Sequence, residues 1–478
     1  MEKEQGQTIT IRFLHKAAMC MFMCLLCFLL SACTLSQDQF PEETEVFPKQ
    51  EEERTDIGES VSASDIHSDK EAGGKGPKVL VGRSGYLPKE QKQVYVLREE
   101  DETVFYVVNA DTKETVYTGT IRSMNGDSGR NDDLGRGDFS EVQEEGNYYI
   151  EVPSLGRSYT FEIKESYLED IHDDLMSVIE QEAEAQQDTF LFRAQTLSWM
   201  LRYQEYYGEE DGVINPADVP ELLFSAQELG NALIEEKKEL AETMDTAEEA
   251  FYCAAMAQLY DAIKPYDVRT ANGYLREAEM AYTQVDRKKN EADFDTAWQF
   301  YAAASLYKAT GYAKYHNVVK IFLQQRGERS LFADGVSEEQ ILSDEAYIYG
   351  VVAYMTTAKS VDVNLCGALM EELIGSIRII AEEYSSNDYS CVSSDLRGRI
   401  LAGRLYMISV AEHVIVSREY VRILEAGIHY IDGGNETGES LISEEGILDP
   451  GRDQEGSGVA LSGAYLFIMK EVMESEAE

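Results

Sequence analysis

The side chains able to do nucleophilic, acid–base or metal chemistry are thinly spread through this 478-residue chain. Six histidines are scattered along it. His413 and His429 fall on a late helical hairpin, and neither has a carboxylate or thiol at metal-ligand spacing. Asp170, His172 and Asp173 form a small local cluster that specifies no reaction alone. Outside the first 33 residues, the thiols are Cys253, Cys366 and Cys391. They are widely spaced and odd in number, with no C-x-x-C and no disulfide framework, so they read as small buried apolar groups on helices. Gly73-Gly74-Lys75-Gly76 has no helix behind it and makes no phosphate loop. No cofactor and no metal are therefore expected. Tyrosine is abundant at 29, with Tyr203, Tyr206, Tyr207, Tyr301, Tyr307, Tyr312 and Tyr315 near hairpin ends. Their ring faces could stack on sugar CH groups, but at helical spacing such rings more often pack the core or its rim. Trp199 and Trp298 are the two tryptophans, few for a polysaccharide cleft.

Two kinds of element must position these groups. From Lys78 to about Ile163, VYVLRE, TVFYVVNA, YYIEV and SYTFEI alternate apolar and polar residues between Gly, Asp and Asn turns. Several short strands in so short a stretch predict an immunoglobulin-like β-sandwich. After Tyr167, eleven or twelve amphipathic helical windows follow one another, among them AEEAFYCAAMAQLYDAI, DTAWQFYAAASLYKAT and AYIYGVVAYMTTA. Helical hairpins in this number suit either two ordinary bundles or an α/α toroid.

The N-terminus reads as a targeting segment. Arg12, His15 and Lys16 flank an apolar run from Ala17 to Leu30 that is short for a mature membrane span. The run ends at Leu30-Ser31-Ala32-Cys33, which resembles a bacterial lipoprotein cleavage box, with Cys33 as the lipidated residue. An acidic, polar stretch follows to about Lys75 and reads as a solvated tether. Expected boundaries are 1–33 for the signal peptide, 34–77 for the tether, 78–165 for the β-sandwich and 166–478 for the helical domain. A net charge of −47, from 89 acidic and 42 basic residues, argues against nucleic acid and anionic headgroups as partners. The lipid is then the sole membrane contact, and the expected location is extracytoplasmic, anchored to the bacterial cell membrane.

Three segments carry a family likeness. VLVGRSGYLPKEQKQVYV (Val79 to Val96), with Gly135 to Ser140 and EEGNYYIEVPSLGRSYTFEI, resembles the immunoglobulin-like N-terminal domain of family 9 glycoside hydrolases, the cellulase and endoglucanase type. WQFYAAASLYKATGYAKYHNVV, from Trp298, resembles a helical hairpin of that family. The segment from Arg399 to Ser440 resembles its late hairpin, with Tyr430, Gly433, Asn435 and Ser440 at matching places and Glu436 in place of a proline. The resemblance implies an immunoglobulin-like β-sandwich followed by an all-α, (α/α)6-type toroid. It also implies an inverting endoglucanase acting on β-glucan, a neutral polysaccharide partner.

Inverting hydrolysis needs two carboxyl groups roughly 6.5–9.5 Å apart, one to protonate the leaving oxygen and one to activate water. By resemblance, the base belongs to a D-A-G-D motif before the helix matched here by FLFRAQTLSWMLRYQEYY. That motif is absent; Glu182, within IEQEAEAQQD, is the nearest counterpart, and this stretch reads as continuous helix from Glu169 to Gln187. The acid falls near Glu455, beside Gln454, ahead of the last helix. The family's H-x-R loop has no counterpart, since no histidine follows His429. The catalytic pair is thus not recognisable from sequence. Two readings stay open: a diverged family 9-like protein that binds or cleaves β-glucan, and a non-catalytic interaction scaffold on a toroid.

Overall fold

The computed structural model describes residues 78–97, 103–123, 134–185, 189–208, 219–240, 243–288, 293–327, 329–386, 389, 398–413, 415–443, 446–447 and 458–477. The leader, Cys33, the tether, Cys391 and Glu455 lie outside these residues, as does the side chain of Glu182. Residues Pro77–Glu478 form one compact unit.

The N-terminal part is a two-sheet sandwich. One sheet takes the order β1 (Val79–Leu80), β3 (Gln93–Leu97), β7 (Leu134–Asp138), β6 (Arg122–Ser123). The other runs β2 (Gly85–Tyr86), β10 (Phe161–Ile163), β8 (Gly146–Val152), β4 (Val104–Asn109), β5 (Thr115–Thr120), with β9 (Gly156–Arg157) on β8. Alternation sends Val94, Val96, Phe105, Val107, Ile150, Val152, Phe161 and Ile163 into one core, because successive strand side chains face opposite sides of a sheet. Tyr86 meets Phe139 and Phe161 edge-on at 5.3 and 5.2 Å, the favoured aromatic geometry.

Twelve helices follow among the described residues. Six are buried on nearly every side: α2 (Phe190–Tyr207), α4 (Thr246–Ile263), α6 (Asp293–Thr310), α8 (Glu338–Met355), α10 (Gly398–Glu412) and α12 (Gly458–Ala477). Between them run more exposed, amphipathic helices: α1 (Tyr167–Ala185), α3 (Glu221–Leu240), α5 (Val268–Lys288), α7 (Ala313–Gln325), α9 (Val363–Ser386) and α11 (Arg418–Ile431). The buried set packs α2 on α4, α4 on α6, α6 on α8, α8 on α10 and α10 on α12, and α12 returns to α2. An inner ring closed in this way inside an outer ring is an α/α toroid, not two bundles. Alanine and glycine let the inner helices approach: Ala250, Ala254, Ala255, Ala257, Ala302, Ala303 and Ala304 are fully buried, so burial cannot show as one apolar stripe. A short hairpin, β11 (Ile442–Ser443) with β12 (Gly446–Ile447), precedes α12.

Cys253 and Cys366 are free and buried, as their spacing implied. No described helix is long and apolar enough to cross a membrane.

Candidate functional site

A cavity lies at the N-terminal end of the inner ring. Phe192, Gln195 and Trp199 enter it from α2, Glu345 and Tyr349 from α8, Arg399, Ala402 and Gly403 from α10, and Ala460, Leu461 and Ala464 from α12. Glu345 and Arg399 are both buried, at 6% and 5% exposure. Arg399 grips the Glu345 carboxylate with two nitrogens, Nε at 3.0 Å and Nη2 closer still. Gln195 Nε2 donates to the same carboxylate at 2.8 Å. The guanidinium also lies 5.2 Å from the Phe192 ring centre, and Arg399 Nη1 reaches Glu338 at 3.4 Å. The Glu345 carboxylate is thus engaged by two nitrogens of Arg399 and one of Gln195, charge-assisted bonds that hold it in place. Chemically this floor presents a fixed array of charged and amide hydrogen-bonding groups. Among the described residues the space open to a water centre is about 20 Å³, enough for about one water molecule.

Below the floor the axis is filled by a second buried cation. Arg202 places its guanidinium carbon 3.8 Å from the Tyr349 ring centre and 4.9 Å from that of Trp199. Its Nη2 donates to Tyr301 Oη at 2.9 Å, and Gln258 Nε2 donates to the same oxygen at 3.2 Å. Aromatic faces here stand in for a carboxylate. Trp199 meets Tyr406 and Tyr349 edge-on at 5.0 and 5.5 Å. With 3% of its surface exposed, it is packing and offers no sugar platform; Trp298, at 9%, is buried too.

The wall of the cavity is held by a clamped loop. Phe332 sits at φ +53, a conformation that costs a non-glycine residue about 1 kcal/mol or more. Its N–H donates to Asp344 Oδ2 at 2.9 Å and its carbonyl accepts from Arg404 Nε at 2.9 Å. Burial pushes the Asp344 carboxyl up to about 6, against the hydrogen bonds from Phe332 and Gln340 that lower it. The Phe332 ring lies against Gly403, where a Cβ would come within 2.3 Å of it.

The motif residues that carried the family likeness meet elsewhere, between sandwich and toroid. Arg83 N–H donates to Asp432 carbonyl at 2.8 Å. Asp432 is 1% exposed, and Ser84 and Ser440 both donate to its carboxylate. Burial raises its pKa, opposed by the Ser84 hydrogen bonds, His429 and Ser440. Asn435 shapes the turn behind it, donating to the Tyr430 and Glu439 carbonyls and accepting from Thr437 and Gly438. Gly433 takes φ +111 there, with Arg83 Cγ only 2.8 Å from where a Cβ would stand. The His429 ring lies 4.4 Å from that of Tyr86, tilted by 34°, with Nε2 3.1 Å from Glu90 Oε1.

The remaining sequence candidates divide as follows. His172 bonds Tyr203 at 2.8 Å and Asp173 at 3.2 Å, while Asp170 pairs with Lys164; the trio is not a joint site. His413 faces Glu471 at 3.4 Å. No group of three metal-ligating side chains exists among the described residues. Glu345, Arg399 and Gln195 were missed in the sequence, and their one signal is polar side chains inside otherwise apolar helices. Helix α1 ends at Ala185, and residues 186–188 separate it from Thr189 and α2.

Residues 74–157 match the family described as cellulase N-terminal ig-like domain. Endoglucanase D of Acetivibrio thermocellus is 36% identical over 93 residues, 20% of this chain and 14% of that protein. The chain thus aligns with about one seventh of that relative. Among solved structures, a metagenome-derived glycoside hydrolase family 9 endoglucanase superposes with TM-score 0.65 at 16% identity, covering 83% of this chain and 98% of the other. A thermostable endoglucanase from Alicyclobacillus acidocaldarius gives 0.63 at 16%, covering 83% and 100%. The family 9 protein of Bacteroides ovatus gives 0.63 at 14%, covering 84% and 99%. The chain therefore carries a cellulase-type immunoglobulin-like domain followed by a helical toroid, in the fold of family 9 glycoside hydrolases.

Proposed function

We propose, from a chain with this fold, that the protein is a lipid-anchored surface protein that binds β-glucan at the N-terminal end of its toroid, its hydrolytic pair having diverged. One observation carries the reading. The two segments to which the family likeness assigns base and acid, around Glu182 and Glu455, lead into α2 and α12. The first two turns of those helices supply Phe192, Gln195, Ala460 and Leu461 to the same cavity. A ligand reaching both segments would lie across the axial cavity. The Glu345–Arg399 pair there favours binding over hydrolysis, since it presents a neutralised hydrogen-bonding floor. The apolar run before Cys33 supports the anchor.

The deciding experiment is reducing-sugar release from soluble β-glucans, with Glu455→Gln as control, beside retardation in a glucan affinity gel. Retardation without release is the expected result. Release that vanishes in Glu455→Gln would make the protein a working glucanase. Neither release nor retardation, with glucan as the probe, would leave the scaffold reading. For the anchor, incorporation of labelled fatty acid should be lost in Cys33→Ala.

A further inference from the structure

Strand β3 has two faces. Val94 and Val96 point into the sandwich core, so the alternate residues Gln93 and Tyr95, with Gln91 just ahead of the strand, turn to the other side. There they meet one stripe of α11, formed by Arg422, Ala426 and His429 at helical i, i+4, i+7 spacing. A second cavity lies between strand and helix, and Tyr384, in the last turn of α9, completes its wall. Tyr95 fixes that wall: its Oη lies 2.8 Å from the Tyr389 carbonyl and 2.9 Å from Gln93 Oε1. This cavity shares no lining residue with the axial one.

Three side chains here have hydrogen-bonding capacity to spare. Arg422 is exposed and Gln91 half-buried, and neither makes a hydrogen bond or ion pair among the described residues. The His429 side chain is only 12% exposed, yet neither of its ring nitrogens makes a hydrogen bond among those residues. Nε2 is close to Glu90 Oε1 but out of line for one. A buried imidazole in this state calls for a partner. Nδ1 stands over Gly82, 2.8 Å from where a Cβ would be, so the missing side chain leaves that nitrogen open to the cavity. None of the described lining residues is acidic, although 89 of the 478 residues of the chain are Asp or Glu.

We infer that this junction cavity binds a single uronic acid residue, its carboxylate held by Arg422, Gln91 and His429 and its ring set against Tyr384. A cation, an amide and an imidazole around a space with no acidic lining suit an anionic acceptor, and a guanidinium takes a carboxylate through two parallel bonds. The space open to a water centre is about 20 Å³, which admits a carboxylate-sized group and leaves a sugar ring at the mouth. Tyr384 is half-buried and offers an apolar face to pyranose CH groups. The net charge of −47 disfavours a polyuronate, which meets repulsion along its whole length. A lone carboxylate is governed instead by its contact with the guanidinium. The inference stands apart from the glucan reading, because it uses no residue of the axial cavity.

The test is a ligand-observed NMR titration of the full chain with D-glucuronate, D-glucose and acetate at one ionic strength, on wild type, Arg422→Gln and Tyr384→Ala. Wild type should bind glucuronate at least about tenfold more tightly than glucose, the factor one charge-assisted contact is worth. Arg422→Gln should weaken glucuronate binding roughly ten- to hundredfold. Its melting temperature should not change, because Arg422 is exposed and holds no partner among the described residues. Tyr384→Ala should weaken binding roughly two- to tenfold, the value of a ring contact. No binding of glucuronate, equal binding of glucose, or an Arg422→Gln variant that binds like wild type overturns the inference, and each leaves the glucan reading intact. Acetate bound as tightly as glucuronate overturns it too, by removing the sugar ring from recognition.

Discussion

Ser84 donates to Asp432 twice, through its backbone N–H at 2.6 Å and its hydroxyl at 2.7 Å, across 348 residues of sequence. One residue belongs to the sandwich and the other to the last turn of the toroid's outer ring. Ser84 and Asp432, each from a segment that resembles family 9, therefore hold the two modules together and do not line the axial cavity.

Asp432→Ala should destabilise the chain by about 2–3 kcal/mol, since three donor groups, the Ser84 N–H and the Ser84 and Ser440 hydroxyls, lose a charged acceptor. Urea unfolding followed by circular dichroism should then show the sandwich and toroid separating into two transitions. Asp432→Asn, which keeps one acceptor oxygen, should fall between alanine and wild type.

Arg399→Met leaves the Glu345 carboxylate buried without its cation and should cost about 3–5 kcal/mol. Adding Glu345→Gln removes the stranded charge while keeping an acceptor for Gln195, so the double variant should recover most of the loss. A double variant no more stable than Arg399→Met would show that the pair is not coupled as the geometry requires.

The Asp344 carboxyl, lifted by burial to about 6 from 3.8, binds its proton more tightly in the folded chain. Its contribution to stability is thus fully present below about pH 4 and lost as pH rises through about 6. Asp344→Asn has no proton to lose. Wild type should therefore lose up to about 3 kcal/mol relative to the variant between about pH 4 and pH 7, with a plateau above that range. Chemical denaturation at a series of pH values measures it; parallel curves would contradict it.

Gly403→Ala would drive a methyl into the Phe332 ring, with three ring atoms within 2.5 Å. The backbone of Phe332 cannot shift to make room, because its N–H and carbonyl are both held by buried side chains. A loss of about 1–3 kcal/mol is expected, measured as a lower melting temperature. Phe332→Leu with Gly403→Ala should restore part of it.

Sequence alternation marked β3, β4, β8 and β10 directly, because a half-buried strand shows its core face at every second residue. The outer helices were legible for a similar reason. The inner helices were legible only as helices: α8 and α10 are buried all round, so no stripe says which face meets the axis. Glu345 and Arg399 are 54 residues apart and Gln195 and Glu345 are 150 apart. Such pairings follow from ring closure, which spacing along one chain does not encode.

Ring closure also sets an order of events in synthesis. Helix α12 packs against both α2 and α10, and it is the final helix of the described chain. The sandwich can collapse as soon as its own residues are free to fold, but Ser84 must wait for Asp432, and α2 waits longer for α12. Until the C-terminal residues are released, the open ring exposes the apolar flanks of two inner helices, a state prone to aggregation. A premature stop before Gly458 would leave that seam open permanently, so this protein should depend more on holdase chaperones before its ring closes than a linear helical array of equal length.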